Sequence, residues 1–139
     1  MNSLTRLYIK TALLFFIAAL LVRLVQSLNS LWDISPLFTT LGPVYFHMFL
    51  VGWVTQLIFG MVYWMFPKYT LEKPRGSERL AWAVFGLLNL GLLLRVVSEP
   101  IHALSPSPFS GWMLAFSALF QWTAGMSFLA NSWPRVKEK

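Results

Sequence analysis

The chain of 139 residues is 57% hydrophobic and 12% charged, and its mean hydropathy is +0.62. A soluble domain carries about twice that charged fraction, because it needs a solvated surface. The net charge of +6 does not indicate a nucleic-acid partner, since the cations punctuate long apolar runs instead of interleaving with them. The absence of cysteine excludes disulfides, thiolate metal sites and covalently attached c-type heme.

Four apolar runs are long enough to cross a lipid bilayer, which takes about 20 mostly apolar residues. In chain order they cover residues 7–28, 43–66, 80–104 and 109–132. The segments between them hold the proline, glycine and polar residues typical of turns. We therefore predict an all-α fold, in which residues 1–139 form a single transmembrane domain built as a four-helix bundle.

Lysine and arginine residues are concentrated on one side of this bundle. Nine of them lie in the N-terminal segment, the central loop and the tail, which four crossings bring to the same side: Arg6, Lys10, Lys68, Lys73, Arg75, Arg79, Arg135, Lys137 and Lys139. The opposite side has only Arg23 and Arg95, both inside apolar runs. Because cytoplasmic segments are rich in these residues, we predict that both termini are cytoplasmic. The short chain, without a targeting signal, favours a bacterial or archaeal plasma membrane.

Ionisable side chains inside apolar runs are costly, so each is a candidate functional group. His47 lies about 7 Å below the start of the second run, and His102 lies near the end of the third, so both histidines approach the same side. Arg23 and Arg95 are on that side too, and the spacing of Glu99 allows it to pair with Arg95. Two imidazoles and two cations suit heme b, which needs iron ligands and partners for its propionates.

Each of these residues also has a structural interpretation. A membrane histidine can hydrogen-bond a carbonyl across helices, Arg23 can reach the headgroups, and Arg95 with Glu99 can form a structural pair. Four glycines would let backbones approach a flat apolar slot, or would serve helix packing alone: Gly52, Gly60, Gly86 and Gly91. Spacing by itself leaves heme binding, a structural role, and a copper or proton-transfer role open.

The second run carries a longer motif. It reads Tyr45-Phe46-His47-Met48 near its start and ends in Gly60-x-x-Tyr63-Trp64-x-x-Pro67. Over residues 41–70 this pattern resembles the second helix of the catalytic subunit I of the heme-copper oxidase superfamily, in particular its nitric oxide reductase and C-type oxidase branches. The resemblance implies that His47 is an axial ligand of a low-spin heme b. It also implies that the chain corresponds to the first of the three four-helix arcs of that subunit.

One arc lacks the further histidines of the family's catalytic centre, so a single chain cannot assemble that centre. Whether the protein is an enzyme therefore stays open. The second iron ligand could come from His102 or from another copy of the chain. We expect a homo-oligomer, with a trimer preferred to a dimer, because three copies would imitate the three arcs. Ligation by two histidines leaves iron no open position, which favours electron transfer, with quinol or a respiratory-chain protein as a possible partner.

Two other functions fit the same sequence. The chain could be a cofactor-free accessory or assembly subunit that docks on a respiratory membrane complex, with His47 making only an interhelical hydrogen bond. It could also handle copper, because thioethers suit Cu(I) and three methionines lie along the second run, Met48, Met61 and Met65. Methionine in an apolar helix is more often a packing residue, so copper ranks last.

Overall fold

The computed structural model describes residues 2–68, 70–71 and 76–136. Its four long helices are α1 (Ser3–Trp32), α2 (Gly42–Met65), α3 (Glu78–Leu104) and α4 (Pro108–Ser132), and each is long and apolar enough to cross a membrane. A one-turn helix (Pro36–Thr39) connects α1 to α2, and a 3-10 turn (Trp133–Arg135) follows α4. No strand occurs in the described ranges. The prediction of an all-helical chain with four candidate membrane helices is confirmed.

The bundle has two ends. The terminal end carries the start of α1 and the end of α4, together with the loop between α2 and α3. The far end carries the connection from α1 to α2 and the turn from α3 to α4. Four of the cations that predict a cytoplasmic terminal end lie outside the described residues, namely Lys73, Arg75, Lys137 and Lys139. The orientation in the membrane stays a prediction.

Side chains that bond to free backbone N–H groups define where the helices begin. The Asn2 side chain accepts a hydrogen bond from the N–H of Thr5 at 2.9 Å, at the start of α1. Ser77 does the same for α3, and Ser107 forms a reciprocal capping box with Ser110 at the start of α4. Such caps satisfy N–H groups that the first helical turn leaves without partners.

Apolar packing is heavier toward the terminal end. One buried cluster there joins all four helices and contains Leu4, Tyr8, Phe59, Tyr63, Ala81, Val84, Leu88, Ala124 and Phe128. The rings of Phe59 and Phe128 stack face to face with their centroids 3.7 Å apart. The buried cluster nearer the far end is smaller and consists of Ala19, Val44 and Met48.

Three of the four glycines that we considered for a cofactor slot lie where helices touch. A Cβ atom at Gly52, Gly60 or Gly91 would lie 2.7–3.0 Å from atoms of an adjacent helix, which is too close for a side chain. Gly86 has no atom within 4 Å of that position. The space beside the first three glycines is filled by protein, so these residues serve helix packing and do not line a slot.

Helix α2 changes its hydrogen-bonding pattern directly after His47. Its first segment is α-helical (Gly42–His47), its middle is a π-helix (Met48–Thr55), and it returns to α-helix at Gln56–Met65. π-Helical turns are rare and occur frequently at functional sites. The π-helical segment begins at Met48, the residue that follows His47.

Candidate functional site

His47 is held at the far end of the bundle by two oxygen atoms. Its Nδ1 lies 2.9 Å from the carbonyl oxygen of Pro43, one turn earlier in α2, and 3.1 Å from Oε1 of Glu99 on α3. A carbonyl oxygen can only accept a hydrogen bond, so Nδ1 must carry the hydrogen. The His47 side chain is 29% exposed, so one edge of its ring reaches the surface of the bundle.

Glu99 connects His47 to a chain of polar contacts that continues into α4. Arg95 Nη1 lies 3.3 Å from the same Oε1 atom, which confirms the predicted pairing of these residues along α3. Arg95 Nε donates to Ser117 Oγ at 3.1 Å, and Ser117 Oγ donates to the carbonyl oxygen of Gly91 at 2.6 Å. We call His47, Glu99, Arg95 and Ser117 the far-end network. It joins α2, α3 and α4.

The carboxylate at the centre of this network keeps an unused acceptor. The Glu99 side chain is 10% exposed, and its Oε2 atom is buried without a hydrogen-bond partner in the part of the chain that the structure describes. Both recorded contacts of the carboxylate are made by Oε1. Arg95 balances the negative charge, which lowers the cost of holding a carboxylate in an apolar bundle.

His102 makes its contact with a different helix. Its Nδ1 lies 2.8 Å from Oγ of Ser110, in the capping box that starts α4. Arg95 and His102 are two turns apart on nearly the same face of α3, and both bond to serines of α4. His47 instead bonds to Glu99. The structure places both histidines at the far end, as expected, but ties them to different partners.

Arg23, on α1, is also at the far end and lies against a different face of α2. It is exposed, and its guanidinium carbon lies 5.8 Å from the centre of the Tyr45 ring, a cation–π contact. Tyr45 and His47 are two positions apart in an α-helical segment, so they project from opposite faces. Of the two arginines that the sequence singled out, Arg95 is linked to His47 through Glu99, and Arg23 contacts Tyr45 instead.

Several polar residues of the bundle were not recognised from the sequence as candidate site residues. Ser117 and Ser110 anchor Arg95 and His102, although serine in an apolar helix gives only a weak signal. Gln56 ends the π-helix and is fully buried, and neither atom of its amide has a hydrogen-bond partner among the described residues. A glutamine inside an apolar run is visible in the sequence, so its polarity was the signal that could have found it.

The candidate metal ligands among the described residues do not form a cluster of three. Within the described ranges no group of three or more His, Cys, Asp or Glu side chains could hold a metal ion. Met48 is buried in the small apolar cluster with Ala19 and Val44, whereas Met65 at the other end of α2 is 67% exposed. Copper handling stays a prediction, and these two methionines lie in different environments.

No family model matches the chain, and no curated protein or solved structure matches it either. The resemblance of α2 to a helix of the heme-copper oxidases therefore stays a prediction from the sequence.

Proposed function

We propose that the protein binds heme b through His47 and carries electrons within a membrane. The observation that supports this most is the orientation of the imidazole. With the hydrogen on Nδ1, turned toward Pro43 and Glu99, a neutral ring has its lone pair on Nε2. Metal-binding histidines commonly donate their second N–H to a carboxylate or a carbonyl in this way. Bound heme would supply a one-electron carrier.

The residues around His47 fit heme at the side of the bundle better than heme between its helices. Neighbouring atoms fill the space beside Gly52, Gly60 and Gly91, which removes the interhelical slot at those positions. His47 is partly exposed, and the adjacent Phe46 and Leu50 are 60% and 52% exposed, which offers an apolar lateral surface. Both arginines stay candidate partners for a propionate: Arg95 is close to His47 but already pairs with Glu99, whereas Arg23 is exposed but lies over Tyr45, on the face of α2 opposite His47.

A heme on a lateral surface needs a cover, and we propose that a second copy of the chain provides it. The second ligand would then be His47 of another protomer, and His102 is the alternative within the same chain. The contact of His102 with Ser110 on α4 favours the first arrangement. Ligation by two His47 side chains pairs the protomers, whereas ligation by His102 fits the trimer that the analogy with the three arcs of the oxidase subunit favours. Quinol or a respiratory-chain protein is the proposed electron partner.

We place the terminal end in the cytoplasm of a bacterial or archaeal cell, following the bias of lysine and arginine. Because the chain has no cysteine, single cysteines can report the orientation. Ser35→Cys at the far end should react with a membrane-impermeant maleimide added to intact cells, and Ser77→Cys at the terminal end should not. The reverse labelling pattern would place the terminal end outside.

A reduced-minus-oxidised absorption spectrum of the detergent-purified protein tests the proposal. Low-spin heme b gives a sharp α band and a shifted Soret band, and His47→Ala should abolish both. His102→Ala is the matched control, because it removes the other histidine at the same end. A retained low-spin spectrum in His102→Ala supports a ligand from a second protomer. A change to high spin assigns the second ligand to His102.

A second function has support from the same contacts. His47 and Arg95 both bond to Glu99 without any ligand, and Arg95 bonds to Ser117, so the far-end network can act simply to hold three helices together. This favours a cofactor-free accessory or assembly subunit of a respiratory complex. Well-folded protein with no heme spectrum, produced with ample heme and co-purifying with a stable partner, would select this function over electron transfer.

A further inference from the structure

We propose that Glu99 is a positioning residue for His47: it holds the imidazole with Nδ1 facing α3 and Nε2 facing the surface, where a metal can bind. The inference rests on the proposed heme site for its use. The orientation of the ring, however, can be tested without heme. Holding the His47 ring is a role of Glu99 that its pairing with Arg95 along α3 does not require.

The two acceptors at Nδ1 come from different helices, and they constrain the ring in different ways. The Pro43 carbonyl, at 2.9 Å, belongs to the same helix and would move with His47. Glu99 Oε1, at 3.1 Å, belongs to α3 and fixes the ring relative to the rest of the bundle. Turning the ring over would place a carbon atom against both oxygens and lose both hydrogen bonds. Glu99 and the Pro43 carbonyl therefore favour the same one of the two ring orientations, and Glu99 fixes it relative to α3.

Glu99 is itself held firmly enough to act in this way. Its carboxylate is mostly buried and paired with Arg95, and Arg95 is anchored in turn by Ser117 on α4. Ser117 donates to the backbone oxygen of Gly91, which ties the end of this chain of contacts to the backbone of α3. A carboxylate placed by two helices can orient a ligand on a third, which is what the outer partners of metal-binding histidines do.

The Glu99 carboxylate would also change how strongly His47 binds a metal. A negatively charged acceptor at Nδ1 raises the basicity of Nε2, and loss of such a partner typically weakens metal binding about 10- to 100-fold. The Pro43 carbonyl alone would leave the same hydrogen on Nδ1, but without the charge. Removing Glu99 should therefore weaken iron binding while leaving part of the ring orientation in place.

The first arm of the test uses the heme-free protein. Nitrogen-15 NMR of histidine-labelled protein in detergent, with His102→Gln used to assign the signals, should show the neutral His47 ring with its hydrogen on Nδ1. A neutral ring with its hydrogen on Nε2 would overturn the inference whether or not the protein binds heme.

The second arm uses hemin as the probe. Glu99→Gln keeps the size of the side chain and should bind hemin at least about tenfold more weakly than the unchanged protein, with altered EPR g values. Glu78→Gln makes the same change at an exposed position on α3 and should leave both properties unchanged. Hemin binding and g values identical to those of the unchanged protein would overturn the role of Glu99. Failure of the unchanged protein to bind hemin would overturn the proposed function instead.

Discussion

The two ends of the bundle bury polar groups for different purposes. At the terminal end Arg135 is only 1% exposed, and it donates to the carbonyl oxygens of Phe66 at 2.9 Å and Pro67 at 3.1 Å. These carbonyls follow the last turn of α2, where no helical N–H can reach them. At the far end the partly buried cation Arg95 bonds to side chains, Glu99 and Ser117.

A second polar side chain at the terminal end, that of Asn131, also bonds to backbone groups. The amide of Asn131 accepts from the N–H of Ser77 at 2.9 Å and donates to its carbonyl at 3.2 Å, which fastens the start of α3 to the end of α4. Gly76 has a φ of 75°, and a Cβ there would lie 2.5 Å from the Asn131 side chain, so both conformation and space require glycine. A buried ion that caps backbone is structural, whereas one that orients another ionisable side chain is a candidate for function.

The largest expected effect tests the structural half of this comparison. Arg135→Met removes a cation that bonds to two carbonyls. Hydrogen bonds from charged groups contribute about 1.5–3 kcal/mol each, so we expect a loss of about 3–5 kcal/mol in the free energy of unfolding. Titration of the protein with SDS in mixed micelles measures it.

Arg79→Met is the control for Arg135→Met, because it removes a cation from an exposed position at the same end of the bundle. It should change the free energy of unfolding by less than about 0.5 kcal/mol. Equal effects of the two substitutions would show that general charge, and not the capping of α2, accounts for the stability of this end.

The next effect concerns the cation at the far end. Arg95→Met leaves the buried carboxylate of Glu99 without its counter-charge, and we expect a loss of about 2–3 kcal/mol in the same measurement. The double variant Arg95→Met/Glu99→Met should recover most of this loss, because it removes both charges at once. If the losses simply add, the two side chains do not depend on each other, and the far-end network is not a coupled unit.

A smaller effect tests the close helix contact beneath that network. A Cβ at Gly91 would lie 3.0 Å from the Ser117 carbonyl oxygen, which is tighter than an ordinary contact, so Gly91→Ala requires the neighbouring backbone of α4 to shift by a few tenths of an ångström. We expect a loss of about 1–2 kcal/mol in unfolding free energy, together with a weaker contact between Ser117 and Arg95. Gly86→Ala is the matched control and should stabilise by up to about 1 kcal/mol, since its Cβ meets nothing within 4 Å. Stabilisation by both would contradict the close approach.

The sequence predicts those features that depend on local composition. An apolar run of sufficient length predicts a membrane helix by itself, and all four were found, although α1 begins at Ser3 because Asn2 caps it there. The pairing of Arg95 with Glu99 was predicted for the same reason, since both lie one turn apart on a single helix.

Contacts between helices could not be predicted from the sequence. Nothing in the order of residues says which face of α2 meets α3, so the contact between His47 and Glu99 could not be anticipated. Arg23 and Arg95 look alike in the sequence, as cations in apolar runs. In the structure Arg23 lies over the Tyr45 ring, whereas Arg95 pairs with the Glu99 carboxylate. The π-helix after His47 depends on hydrogen-bond register, which composition does not reveal.

The smallest expected effect lies between the two ends, at Gln56. Its amide is fully buried without a partner among the described residues, which is costly, so Gln56→Met should raise the free energy of unfolding by about 1 kcal/mol. Gln121→Met is the control, because the Gln121 amide donates to Ser117 at 3.3 Å and its loss should lower stability slightly. Destabilisation by Gln56→Met would mean that the amide is hydrogen-bonded in the membrane, as by a buried water.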